Sequence, residues 1–110
     1  QTGILNCQLA LGLWNDAHNQ AEQILKKFSQ NIVVLSKAAY ATYMLQNYRA
    51  TADYYQRIIN ISPWDMEARG YLVNNLYLAK DIENARKHYQ ILIKYAPDSA
   101  MAKEYSNIFK

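Results

Sequence analysis

Few residues in this chain have the type and spacing for chemistry. Cys7 is the only thiol, so no internal disulfide can form. It sits among Ile4, Leu5, Leu9 and Leu11, with no basic residue beside it to favour a thiolate. It therefore reads as a small core hydrophobe, slow to react with thiol reagents. His18 reads as a surface or helix-packing side chain, and a metal site there lacks support. His88, between Lys87 and Tyr89, reads as part of a solvated outer face. Asp65 and Glu67 are explained by a helix start, where carboxylates meet free N–H groups. No serine, histidine and carboxylate fall into a plausible constellation, and no glycine loop precedes a helix. The chain reads as non-catalytic, with no cofactor and no metal. What does recur is tyrosine, 10 in all. A tyrosine offers stiff contact area with a polar tip, which suits binding rather than bond-making.

The elements that must carry these residues are helices. Tyr71 to Pro97 reads as two amphipathic helices folded back at Lys80-Asp81. The same pattern recurs 34 residues upstream, and again 34 before that. Ala17, Thr51 and Ala85 share a column, as do Trp14, Tyr48 and Ile82. So do Ala21, Tyr55 and Tyr89; Ile24, Ile58 and Leu92; Leu25, Ile59 and Ile93; and Pro63 with Pro97. Asn31, Asp65 and Ser99 form a cap column, since their side-chain oxygens can accept from a helix's first N–H groups. Gly12, Gln46 and Lys80 share the turn position. Helices are expected over 3–13, 14–28, 32–45, 48–61, 66–79, 82–95 and about 100–109. The inward residues of the second helix include Ala17, Ala21, Ile24, Leu25 and Phe28. The last helix sets Ala102, Tyr105 and Phe109 against Lys103, Ser106, Asn107 and Lys110, apolar on one side and polar on the other.

A period of 34 with two helices per unit resembles the tetratricopeptide-repeat family. The family's small residue near the start of the second helix matches Ala17, Thr51 and Ala85. Its aromatic four residues on matches Tyr55 and Tyr89, with Ala21 departing. Its closing proline matches Pro63 and Pro97, with Ser29 departing. The first-helix signature is poor: Leu35 and Arg69 stand where the family favours Trp, and Ala38-Ala39 and Leu72-Val73 where it favours Leu-Gly. The resemblance implies an all-α, right-handed solenoid of three helix-turn-helix units and a last helix. The units would span about 1–30, 31–64 and 65–98, with the last helix at 99–110.

The resemblance also implies where a ligand would lie. First helices of successive pairs line a concave groove, and second helices form the outer wall. Column by column, the groove takes Asn6, Leu9 and Ala10; then Val33, Ser36, Lys37, Tyr40, Tyr43 and Met44. It goes on with Glu67, Gly70, Tyr71, Asn74, Tyr77 and Leu78, and ends with Met101, Glu104, Tyr105 and Ile108. Asn6 and Asn74 share a column that, in the family, often touches a bound peptide backbone. Tyr54 falls on the outer wall. The carboxylate clamp of some family members is not expected. Only Asn6 has the right type at a clamp column, and the others hold Thr2, Lys37, Glu67 and Tyr71.

Composition narrows the classes further. Apolar residues make up 51%, with 3 glycines and 2 prolines, which suits packed helices. The net charge is +3 with both signs interspersed, too mild to imply nucleic acid or anionic membrane. No run approaches the roughly 20 apolar residues of a membrane span. The chain starts at Gln1, as a piece of something longer would, and its compartment and oligomeric state are not written in it. The expected function is a scaffold for a protein or peptide segment, without nucleic acid or membrane insertion. A carbohydrate- or assembly-associated module of an export system is the alternative. An RNA-binding array is disfavoured by Glu67 and Glu104 facing Lys37.

Overall fold

The computed structural model describes residues 2–109 and leaves the side chain of Thr2 aside. Lys110 and the Thr2 side chain, both named above, lie outside the described residues. The helices are α1 (Thr2–Ala10), α2 (Trp14–Lys27), α3 (Ile32–Met44), α4 (Tyr48–Ile61), α5 (Met66–Leu78), α6 (Ile82–Tyr95) and α7 (Ala100–Tyr105). There is no strand among the described residues. The expected boundaries hold to within a few residues, except that α7 stops at Tyr105 and a turn carries the chain to Phe109.

The cap column works as its chemistry requires. Asn31, Asp65 and Ser99 accept from the backbone N–H of Val34, Ala68 and Ala102 at 3.2, 3.0 and 3.3 Å. A second cap column went unnoticed in the sequence. Asn47 accepts from Ala50 at 3.2 Å and Asp81 from Asn84 at 3.4 Å, while Leu13 at the matching place offers no side-chain cap. The first helix of every pair ends alike. Gly12, Gln46 and Lys80 adopt φ of 73°, 61° and 67°. The N–H groups of Leu13, Asn47 and Asp81 then bond back to the carbonyls of Gln8, Thr42 and Leu76. This is a Schellman ending, in which a left-handed residue lets the chain turn sharply. Pro63 and Pro97 follow the last residues of α4 and α6, where a proline costs no helical bond.

Each helix packs on its chain neighbours. α2 lies against α1 and α3, α4 against α3 and α5, and α6 against α5 and α7. The result is a helical-repeat solenoid of 42 × 24 × 21 Å. The core runs along it as the apolar columns require. Ala17, Ala85, Ile24, Ile58 and Leu92 are buried, and Thr51 joins them by sharing a 2.8 Å bond with Thr42.

Several expected core positions lie open. Cys7 is exposed, and so are Ile4 and Leu11. Its column mates Ala41 and Asn75 are buried, because α3 and α5 each pack between flanking helices while α1 packs chiefly on α2. Leu5 is the residue of α1 that reaches the core fully. Phe28 and Ile93 are also exposed. Phe28 has passed the last turn of α2, and Ile93 is followed only by the short α7, whereas Leu25 and Ile59 have a full pair beyond them.

Candidate functional site

The wall made by α1, α3, α5 and α7 is built from side chains 31 residues apart. Lys37 Nζ donates to Asn6 Oδ1, joining α3 to α1. Tyr105 donates its hydroxyl to Asn74 Oδ1 at 2.5 Å, joining α7 to α5. The middle pair in this register is Tyr71 and Tyr40. They share no hydrogen bond among the described residues, and a hollow opens between α3 and α5 instead.

That hollow, about 320 Å³, is lined by Tyr40, Tyr43, Tyr71 and Asn74, floored by Thr51 and Tyr55 of α4, and closed by Asn75 and Met101. A smaller space of about 180 Å³ continues it past Tyr55 and Tyr71 to Ser36 and Glu67. A third, of about 360 Å³, runs between α5 and α7 past Glu67, Gly70, Tyr71 and Met101. Tyr71 lines all three, so they form one trough along the wall. Gly70 lines its α7 side. A Cβ there would stand 3.1 Å from the Met101 side chain, so a larger residue would push Met101 back by a few tenths of an ångström.

The trough is aromatic and sparingly polar. The rings of Tyr55 and Tyr71 lie 5.4 Å apart. Burial, then Tyr71, Glu67 and Asp65, push the Tyr55 hydroxyl up to about 12, so it stays a proton donor at any physiological pH. Tyr40 stands edge-on to Trp14 at 5.4 Å and Tyr43 to Tyr48 at 5.8 Å. These contacts hold the exposed rings in place. Asn75 is buried and gives its amide N–H to the Tyr71 carbonyl at 2.9 Å, while its Oδ1 has no partner.

Of the sequence-predicted groove residues, Ser36, Tyr40, Tyr43, Glu67, Gly70, Tyr71, Asn74 and Met101 line the trough. Asn6, Leu9, Lys37, Met44, Leu78 and Ile108 lie on the same helices or beyond them, outside the hollows. Gly70 and Tyr105 are buried, and Tyr77 is half-buried. Tyr77 meets the Tyr105 ring at 5.3 Å and the Phe109 ring at 6.1 Å, so α7 claims it for packing. Burial, then Glu104, push the Tyr105 hydroxyl up to about 12. The floor residues Thr51, Tyr55 and Asn75 were missed. Tyr55 shares a column with Ala21 and Tyr89, both buried, and gave no sign of facing the trough.

The outer wall differs from expectation. Tyr54 is only 6% exposed. Its hydroxyl donates to Glu22, and His18 Nε2 meets the same oxygen at 2.8 Å, so His18 acts as the donor. His18 and Glu22, one helical turn apart, thus tie α2 to α4. Burial, then Glu22, raise the Tyr54 hydroxyl well above its ordinary value. Nor is His88 solvated. It is half-buried, and its Nδ1 accepts from Arg69 Nη1 at 2.8 Å. Burial, then Arg69 and Lys87, hold the imidazole below its ordinary value, so it is neutral near pH 7.

The match with known families falls on this region. Residues 71–99, from Tyr71 of α5 through α6 to the cap of α7, match a family model described as tetratricopeptide repeat. This stretch is a tetratricopeptide repeat, which supports the resemblance read from the sequence. A comparison with curated proteins returned no match. Tetratricopeptide repeats serve in general as protein-interaction scaffolds, and the match supports that general role. No described helix is long and apolar enough to cross a membrane. Among the described residues, no group of histidine, cysteine and carboxylate side chains is arranged to hold a metal ion.

Proposed function

We propose that this tetratricopeptide-repeat chain is a non-catalytic binding module that takes a protein segment in the trough over Tyr40, Tyr43, Tyr71 and Asn74. One observation carries the reading. The 31-residue register is bonded from Lys37 to Asn6 and from Tyr105 to Asn74, and is left open at Tyr71 and Tyr40. The wall is therefore stitched at both ends and accessible in the middle, where aromatic side chains gather. Tyr40, Tyr43 and Tyr71 supply contact area at low entropic cost. An apolar or aromatic segment fits this lining better than a charged one.

Peptide display against the domain supplies the binder for the test. Its affinity is then compared for Tyr43→Ala, Tyr71→Ala and the exposed α6 control Gln90→Ala, each first shown to be folded. Tyr54→Ala is unsuitable as an outer-wall control, because Tyr54 is buried. Each trough variant should weaken binding by about 2 kcal/mol, roughly thirtyfold, with Gln90→Ala unchanged. Binding that falls steeply with salt would point to nucleic acid instead. Loss with Gln90→Ala alone would place the partner on the outer wall.

A further inference from the structure

A second feature of the molecule is a buried cation with no counter-charge. Arg69 is 6% exposed. Of the five N–H donors of a guanidinium, one reaches His88 Nδ1 at 2.8 Å and one the Pro63 carbonyl at 2.9 Å. Its Nε is buried without a partner. Both ion pairs among the described residues belong to Arg49, and none to Arg69. Burial pulls Arg69 below the ordinary arginine value, with no neighbouring carboxylate to offset it. His88 cannot serve, being neutral or positive. Taking a charge out of water without an opposite partner is costly, so the site favours whatever carboxylate can reach it.

Arg69 also lines a cavity. Pro63, Trp64, Met66, Ile91 and Tyr95 complete its walls, around about 510 Å³. Trp64 is 76% exposed and Tyr95 64%, both far more than their size would favour in the absence of a partner. Lys94 Nζ lies 5.3 Å from the Tyr95 ring, adding positive charge at the rim. The cavity lies between the α4–α5 junction and α6, and shares only Met66 with the trough described above. Tryptophan, tyrosine and arginine are the residue types that dominate binding energy at interfaces, and here all three meet.

We propose that this cavity is a second docking site, which takes an acidic side chain with a bulky apolar neighbour from a segment of a partner protein. The carboxylate pairs with Arg69, and the apolar side chain rests between Trp64 and Tyr95. The proposal does not depend on the trough over Tyr40 and Tyr71, and either site can fail without the other.

The probe is the blocked peptide acetyl-Phe-Glu-Leu-amide, titrated into the isotopically labelled chain and followed by amide and indole NMR shifts. Shifts are expected at the Trp64 indole N–H and around residues 63–66 and 91–95. The Gln counterpart of the peptide should bind about tenfold or more weakly, the loss expected for one charge-assisted bond. Trp64→Ala and Tyr95→Ala alter exposed side chains, so both should fold and both should weaken the Glu peptide. Arg69→Met should abolish the preference for Glu over Gln; if that variant does not fold, the two exposed variants and the peptide pair still decide. Equal binding of the Glu and Gln peptides overturns the proposal, as does the absence of any shift at millimolar peptide. Shifts confined to Tyr40, Tyr43 and Tyr71 would assign the peptide to the other trough. Inorganic phosphate matching the Glu peptide in affinity and in its shifts would mark a site for small anions, and no docking site.

Discussion

The Tyr105 hydroxyl reaches Asn74 Oδ1 across 2.5 Å, so α7 occupies the amide that would otherwise face a bound chain. α7 is thus part of the wall and draws its stability from α5. Tyr105→Phe should cost about 0.5–1.5 kcal/mol in urea unfolding, the range for one hydrogen bond. Asn74→Ala should cost a similar amount, and the double variant less than the sum, since both remove the same bond. Simple additivity would show that the bond contributes nothing.

Leu92 is fully buried, while Ile93 beside it is 40% exposed. Leu92→Ala should destabilise the chain by about 2–5 kcal/mol, as for other buried leucine truncations. Ile93→Ala and Lys94→Ala should each cost clearly less. Equal melting of the three variants would mean that the faces of α6 are misassigned.

Cys7 lies on the open side of α1. It should therefore be labelled by a thiol reagent in the native state nearly as fast as in denaturant, the reverse of what its apolar sequence neighbours suggest. Strong protection in the native protein would require a cover over α1 that the described residues do not supply.

Gln46 and Lys80 hold φ values of 61° and 67°, which L-residues other than glycine reach only at a cost. Gln46→Gly and Lys80→Gly should each raise stability by up to about 1 kcal/mol, while Gly12→Ala should lower it by a similar amount. Thermal unfolding of the three variants checks the column as a set.

His88 is held below its ordinary value by burial first, then by Arg69 and Lys87. Near its ordinary value of about 6.5, the unfolded chain binds a proton that the folded chain refuses. Its contribution is therefore fully present above that pH and is lost as pH falls toward the folded value. The melting temperature should drop on acidification from neutral pH, and His88→Gln, which can still accept from Arg69, should flatten that profile. An unchanged profile would acquit His88 as a source of acid sensitivity.

The fold was legible because repetition multiplies weak signals. One asparagine before a helix says little, but Asn31, Asp65 and Ser99 at one period mark three helix starts, and each proves to cap one. Columns also told which residues share a face. They did not tell how many neighbours cover that face, so Cys7 and Ile93 were read as their interior mates are. Tyr54, His18 and Glu22 escaped for another reason: they meet across α2 and α4, and pairing between helices leaves no trace in either helix alone. Arg69 and His88 are the same case. In the trough, tyrosines on first helices were visible as a recurrence, whereas the floor comes from α4 and belongs to the core by pattern.

Because every helix packs on its chain neighbours and bonds no farther than the next helix but one, distance along the sequence stays short throughout. Even the link from His18 to Tyr54 spans 36 residues, little more than one repeat. Closing such short loops loses little chain entropy, so folding speed should be that of local helical arrays, in microseconds to milliseconds. The same nearest-neighbour order ranks the amides in hydrogen exchange. α1, which packs chiefly on α2, should open first, and α4, clasped between α3 and α5, among the last.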